Sequence, residues 1–295
     1  MPAENNIWTV KRILDWTVEY LERKGDERPR LSAEWLLSAA TGLSRVEIYI
    51  NFDRPLAPEE LALMRGGIQR RAAGEPLQYV TGEMPFRHIV LRCEPGVLIP
   101  RPETEVLVDA VLEELEGREL PRVLDLCTGT GCIALSIAGE HPDTVVVATD
   151  ISPAATALAE RNARALGLEG WVDVLECDLA DAVASEFAGT FDVLVSNPPY
   201  IPSDVLAERV PAEVRDFEPA LALDGGADGL AVFQRILGLA PGMLVPGGLL
   251  ACELFEDALG AAAELVRAEE GWDRVEVRED LTHRPRILLA RRKRA

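Results

Sequence analysis

Between Arg122 and Cys252, short apolar runs alternate with helix-forming segments, and this alternation restricts the chain more than any other feature. Val123-Leu124-Asp125-Leu126, Val145-Val146-Val147-Ala148, Val172 to Leu175, Phe191 to Ser196 and Gly248 to Cys252 read as strands. Cys132 to Gly139 reads as a helix, and Pro153 to Leu166 as another behind a Ser152 cap. Strands that alternate with helices form a parallel, doubly wound sheet covered on both faces. Arg274 to Val277 and Ile287 to Ala290 are joined by too few residues for a crossover helix, so they are expected to be antiparallel. The expected class is α/β: a Rossmann-like parallel sheet with a C-terminal antiparallel pair.

The first part of the chain follows another period. Ile7, Val10, Ile13, Leu14, Val18 and Leu21 recur at helical spacing. Ser32 reads as an N-cap before Ala33-Glu34-Trp35-Leu36-Leu37, and Pro58 with Glu59 and Glu60 opens a further helix. Gly74 to Pro102 is rich in glycine and proline. Ile89-Val90-Leu91 and Val97-Leu98-Ile99 could pair as strands across Pro95-Gly96. Glu103 to Glu116 is then helical. The expected organisation is a helical domain over 1–73, a connecting hairpin over 74–102 and a catalytic domain over 103–295. A length of 295 residues suits two domains.

The strand ending at Asp125 runs into Cys127-Thr128-Gly129-Thr130-Gly131, which opens a helix. Glycines there let a ligand approach the backbone, beyond the carboxyl ends of the strands where open α/β sheets bind ligands. The next strand ends in Asp150, placed to accept from ribose hydroxyls. A third ends in Cys177-Asp178, and a carboxylate at Asp178 can hold an adenine amino group. Gly129-x-Gly131-x-x-Ala134 also matches the dinucleotide fingerprint, so NAD is a competitor. Asp125 favours S-adenosyl-L-methionine. A carboxylate just before the loop suits a cationic amino-acid end and repels a pyrophosphate. The plainer reading is that Asp125 caps a turn.

The strand Phe191 to Ser196 ends in Asn197-Pro198-Pro199-Tyr200. Each proline fixes its own φ, lacks a donor and pushes the preceding residue to an extended shape. Carbonyl groups are thus presented rigidly at the cofactor end of the fourth strand. A planar nitrogen nucleophile carries two N–H donors. The Asn197 side-chain oxygen can accept one and the Pro198 carbonyl the other, while Tyr200 packs on the plane. Such bonds strengthen as the nitrogen becomes positive, so they favour the transition state. The plainer reading is a Pro-Pro turn.

With these motifs in view, the chain resembles the release factor glutamine methyltransferases, also called the HemK family, over nearly its whole length. The resemblance includes Gly74-Glu75-Pro76-Leu77-Gln78-Tyr79 and Gly82, then Val97-Leu98-Ile99-Pro100-Arg101-Pro102-Glu103-Thr104-Glu105. It continues through the glycine loop, Asp150, Asn197 to Tyr200, and Phe217-Glu218-Pro219-Ala220-Leu221-Ala222-Leu223. The Arg-Pro-Glu-Thr-Glu segment is more specific than the glycine loop, and it separates this family from amino-adenine and guanine methyltransferases that share Asn-Pro-Pro-Tyr. The resemblance implies methylation of the side-chain amide of the glutamine in the Gly-Gly-Gln loop of class I peptide chain release factors. It implies a methyltransferase sheet, a helical domain that docks the partner, Ile151 and Leu179 beside the cofactor, and Arg101 and Glu103 beside the substrate. Three departures stand out. Cys127 replaces the usual glycine, Leu179 an aromatic, and Glu253-Leu254-Phe255-Glu256-Asp257 lacks the usual glycine and glutamine.

A formal net charge of −20 gains nothing from counterion release at phosphates and weighs against direct nucleic-acid binding. It suits a basic protein partner, or serves solubility alone. Five cysteines without a C-x-x-C pair and three scattered histidines give no expectation of a disulfide framework or a metal. Met1 to Asn6 does not read as a leader, and no stretch has the length of a membrane span, so the cytoplasm is expected. The alternatives are a nucleic-acid base methyltransferase, methylation of a ribosomal-protein glutamine, an inactive binding protein of the same fold, and a nicotinamide oxidoreductase.

Overall fold

The computed structural model describes residues 7–183 and 185–294. Met1 to Asn6, read above as no leader, lie outside the described residues. The chain divides into two units: one runs up to Glu83 and takes in Ala212–Phe217, the other holds Met84–Pro211 and Glu218–Ala295.

The first unit carries α1 (Val10–Arg23), α2 (Pro29–Thr41), α3 (Arg45–Ile50), α4 (Pro58–Ala72) and α5 (Leu77–Thr81). Val10, Ile13, Leu14 and Leu21 of α1 bury one face against Leu36 and Leu37 of α2 and Met64 and Ile68 of α4, the stripe that helical spacing requires. Ser32 does not cap α2. The helix starts at Pro29, and Ser32 sits inside it, donating its hydroxyl to Asp26 at 2.7 Å. Proline at the first position supplies the start signal instead. Asp26 also accepts from Arg71 at 2.7 Å, which ties α4 to the turn before α2. Leu77 of α5 packs into this helical core, so the first unit extends past Gly74 to Glu83.

The second unit begins with β1 (Glu83–Phe86) and β2 (Ile89–Arg92), which form a two-stranded sheet. The expected pairing of Ile89–Leu91 with Val97–Ile99 is therefore wrong by one strand. The hairpin turns at Arg87, which takes φ 50, and 97–99 is an irregular segment. Then follow α6 (Thr104–Leu115), β3 (Arg122–Leu126), α7 (Cys132–Glu140), β4 (Val145–Asp150), α8 (Pro153–Leu166), β5 (Val172–Glu176) and β6 (Phe191–Ser196). After β6 come α9 (Ser203–Glu208) and α10 (Ala212–Phe217), the latter in the first unit. The chain ends with α11 (Ala231–Met243), β7 (Leu244–Glu253), α12 (Leu259–Ala268), β8 (Trp272–Glu279) and β9 (Pro285–Arg292).

The seven-stranded sheet has the order β5-β4-β3-β6-β7-β9-β8. β3 pairs in parallel with β4 and β6, and β9 runs antiparallel to both β7 and β8. Strands buried on both faces show the sheet period directly. Val193 and Val195 enter the layer with α6 and α7, while Leu194 enters the layer with α11 and α12. The strand order reverses beside β3, so the crevice beyond the carboxyl ends of β3, β4 and β6 is the place for a ligand.

Candidate active site

A cavity opens at that switch point. Cys127, Thr128, Gly129 and Thr130 line it after β3, Asp150, Ile151 and Ser152 after β4, and Asn197 and Pro199 after β6. Val97, Leu98, Arg101 and Thr104 come from the segment before α6, and Leu221 and Ala222 from the stretch after Pro219.

The glycine loop is held mainly by its own neighbourhood. Thr128 N–H donates to the Thr149 carbonyl at 3.0 Å, and Gly131 N–H to the Thr128 carbonyl at 2.9 Å. Gly131 has φ 83, and a Cβ there would lie 2.9 Å from Leu135 Cδ1, so a side chain at this position would be strained and Leu135 would have to shift. Asn162 of α8 donates from Nδ2 to the Thr130 carbonyl at 2.9 Å and accepts from Arg92 N–H at 2.9 Å, linking loop to hairpin. Cys127 occupies the left-handed region at φ 62, which accounts for the glycine usual there. Burial pushes its thiol pKa up, so it is a neutral lining group rather than a nucleophile.

Asp125 lies beneath the loop and is fully buried. Its Oδ2 accepts from the Thr128 hydroxyl at 2.6 Å, so the turn-capping reading holds. Its Oδ1 has no partner among the described residues. Burial raises the carboxyl pKa to about 7. Asp125 is not among the residues that line the cavity, so a cationic group bound there would offset that cost through the field of the carboxyl rather than by direct contact. Asp150 accepts Gly129 N–H at Oδ2 and Ser152 N–H at Oδ1, both at 2.9 Å. Each oxygen keeps a lone pair, and the group stands at the cavity wall, able to receive ribose hydroxyls. Burial raises its pKa as well.

Asp178 and Leu179 stand apart from the lining residues. Asp178 accepts from Arg235 at 2.8 Å. Leu179, at φ 47, packs into the core on the α11 face. The apolar wall comes from Val97, Leu98, Ile151 and Ala155 instead. Glu103 precedes α6 and is not among the lining residues, whereas Arg101 lines the cavity and donates to the buried Glu218 at 2.5 Å. Glu218 also accepts Ile99 N–H at 3.1 Å, which pins the 97–101 wall.

The end of β6 is locked from below, where Ser196 donates to the Leu126 carbonyl of β3 at 2.7 Å. Asn197 donates from Nδ2 to Thr104 Oγ1 at 3.1 Å. Thr104 donates to Glu253 Oε2 at 2.7 Å, and the Tyr200 hydroxyl donates to Glu253 Oε1 at 2.9 Å. Pro198 is buried, and neither Pro198 nor Tyr200 is among the residues that line the cavity, which Asn197 and Pro199 do. Gly229, at φ 75, packs so closely that a Cβ would stand 2.4 Å from the Tyr200 carbonyl oxygen. Sequence reasoning did not find the parts played by Thr104, Glu253, Asn162 or Gly229. One signal was present: a carboxylate closing the apolar run Leu249 to Cys252 at the ligand edge of a central strand.

The strand order, the glycine loop and the carboxylate after β4 define a Rossmann-like methyltransferase of the S-adenosylmethionine-dependent class. Residues 102–214 match the family description "Methyltransferase small domain", and residues 12–82 match "PrmC N-terminal domain". The chain is 47% identical over 254 residues to a release factor glutamine methyltransferase of Geobacter sulfurreducens, covering 86% of this chain and 87% of that one. It is 45% identical over 285 residues to one from Moorella thermoacetica, covering 97% and 99%. A T. thermophilus 16S rRNA N2 G1207 methyltransferase, solved with AdoMet and guanosine, shares the fold at TM-score 0.52 and 22% identity, over 72% of this chain and 50% of that one. The chain belongs to the release factor glutamine methyltransferase family.

Proposed function

We propose that this protein transfers a methyl group from S-adenosyl-L-methionine to the side-chain amide nitrogen of the glutamine in the Gly-Gly-Gln motif of class I peptide chain release factors, in the cytoplasm. The observation that carries the reading is the commitment of the Asn197 amide. Its NH2 group is engaged by Thr104, so its Oδ1 is the atom left to accept a proton donor from the cavity. A primary amide offers two such donors. Asn197 Oδ1 takes one and the Pro198 carbonyl the other. Tyr200, held by Glu253, packs against the amide plane.

The cofactor supplies an electrophilic methyl carbon on a sulfonium. Asp150 receives its ribose, Asp125 offsets its cationic end from beneath the loop, and Gly129 to Gly131 let it approach the backbone. The protein's part in the reaction is mainly positioning. The two acceptors aim the nitrogen lone pair, and their bonds strengthen as positive charge develops on the nitrogen. The extra proton leaves after transfer, so no strong base is required beforehand. Arg101 on the cavity wall serves the substrate side, and the helical unit docks the release factor. Exposed Val46, Ile50 and Leu63 give that unit apolar surface for a partner.

The test is transfer of isotopically labelled methyl from S-adenosylmethionine, with a class I release factor and ribosomal RNA offered as separate acceptors. Label in the factor and none in the RNA is expected. Label in the RNA alone would overturn the reading.

A further inference from the structure

Glu253 belongs to neither the glycine loop nor the Asn-Pro-Pro-Tyr motif, yet it meets the latter directly at Tyr200 and reaches Asn197 through Thr104. It closes β7, is 1% exposed, and has both carboxylate oxygens engaged. The residues concerned are far apart in sequence: Thr104 and Glu253 by 149 positions, Asn197 and Thr104 by 93, Tyr200 and Glu253 by 53.

We propose that Glu253 is a positioning residue: by accepting hydrogen bonds from the hydroxyls of Thr104 and Tyr200, it sets which way the Asn197 amide faces. The inference rests on the reading that Asn197 receives the substrate amide, and it adds the group that makes this possible.

A threonine hydroxyl has one hydrogen and two lone pairs. Thr104 gives its hydrogen to Glu253, whose two oxygens each accept one hydroxyl; burial raises the pKa of that carboxyl, and the bonds from Thr104 and Tyr200 together with Arg286 favour its accepting, ionised form. Toward Asn197 it therefore presents lone pairs, and only the NH2 side of that amide can face it. The carbonyl side must then face away. Were the amide reversed, its oxygen would oppose the lone pairs of Thr104, and its NH2 would meet the donors of an incoming amide. Without the carboxylate, the Thr104 hydrogen is free to swing onto Asn197 Oδ1 and occupy the acceptor that the substrate needs. The second arm acts on Tyr200 in the same way, fixing the ring beside the amide through its hydroxyl. One buried carboxylate thus orients two of the four motif residues.

Three variants and two readouts test this. Thr104→Val keeps the shape but removes the hydroxyl, Thr104→Ser restores it, and Glu253→Gln replaces one of the two acceptor oxygens with an NH2 donor, so that the side chain can no longer accept from both hydroxyls. Single-turnover methyl transfer to a class I release factor should slow by about 10- to 100-fold in Thr104→Val and in Glu253→Gln, as for other residues that orient a functional group. Cofactor Kd should stay within about twofold, and Thr104→Ser should recover to within about threefold of wild type. The second readout needs no substrate: hydrogen exchange of the Asn197 side-chain NH2, followed by 15N NMR, should be slow in wild type and Thr104→Ser and faster in Thr104→Val. Transfer by Thr104→Val at the wild-type rate, or Thr104→Ser as slow as Thr104→Val, would overturn the proposal. A release factor left unmodified by the wild-type protein would remove the functional reading alone. In that case unchanged exchange in Thr104→Val would still overturn the relay, and faster exchange would support it.

Discussion

The two sides of the cavity are built on different principles. On the cofactor side, contacts are mostly local: the Thr128 hydroxyl reaches back 3 positions to Asp125, while the backbone N–H groups of Ser152 and Gly129 reach 2 and 21 positions to Asp150. On the nucleophile side, Asn197, Thr104, Glu253 and Tyr200 form a side-chain relay drawn from three distant segments. Backbone donors after a strand suit any nucleotide-like ligand. A relay of fixed donors and acceptors instead selects the polarity of the group it receives. Cofactor binding and nucleophile orientation should therefore be separable by mutation.

The sharpest separation is expected from Asn197→Ala. On the proposed role of Asn197, loss of an acceptor for the substrate amide should cost at least about 2 to 3 kcal/mol in the rate of transfer, with cofactor affinity retained, measured by single-turnover kinetics beside calorimetric titration. Wild-type turnover in that variant would break the comparison. Asp150→Ala is the mirror case. On the proposed role of Asp150 as acceptor of ribose hydroxyls, its removal should weaken S-adenosylmethionine binding by about 1.5 to 3 kcal/mol, read as Kd. Gly131→Ala probes the loop's geometry. Its positive φ and the 2.9 Å approach of Leu135 should lower stability by roughly 1 to 2 kcal/mol in denaturant titration. The smallest effect concerns Asp125, whose pKa is raised to about 7 in the folded protein. Without cofactor, its contribution to stability is full below the unfolded value of 3.8 and is lost as pH rises through about 7. A cationic ligand favours the ionised form. Affinity for S-adenosylmethionine should therefore rise about threefold between about pH 6.5 and about pH 7.5, and that rise should flatten in Asp125→Asn.

The same contrast explains what could be read from the chain. Strand and helix periods, the Ser152 cap of α8 and the antiparallel run of β9 against β8 were legible because each rests on local spacing. The glycine loop and Asp150 were legible for the same reason. Ser32 misled because its hydroxyl serves Asp26 while Pro29 starts the helix. The hairpin was placed one strand late because Arg87, not Pro95-Gly96, makes the turn. Thr104 and Glu253 stood in stretches singled out for other reasons, but a hydrogen bond spanning 149 positions leaves no local pattern. Leu179 entered the core rather than the cavity wall, and Asp178 met Arg235, because neighbours on α11 compete for them.

The most direct test of the central claim is a tandem mass spectrum of a class I release factor after incubation with this protein and S-adenosylmethionine. The expected result is a single added methyl on the side-chain amide nitrogen of the Gly-Gly-Gln glutamine, formed at least about 30-fold more slowly when Asn197→Ala replaces the wild type. A methyl on any other residue, or an unmodified glutamine in the presence of demonstrated cofactor binding, would contradict it.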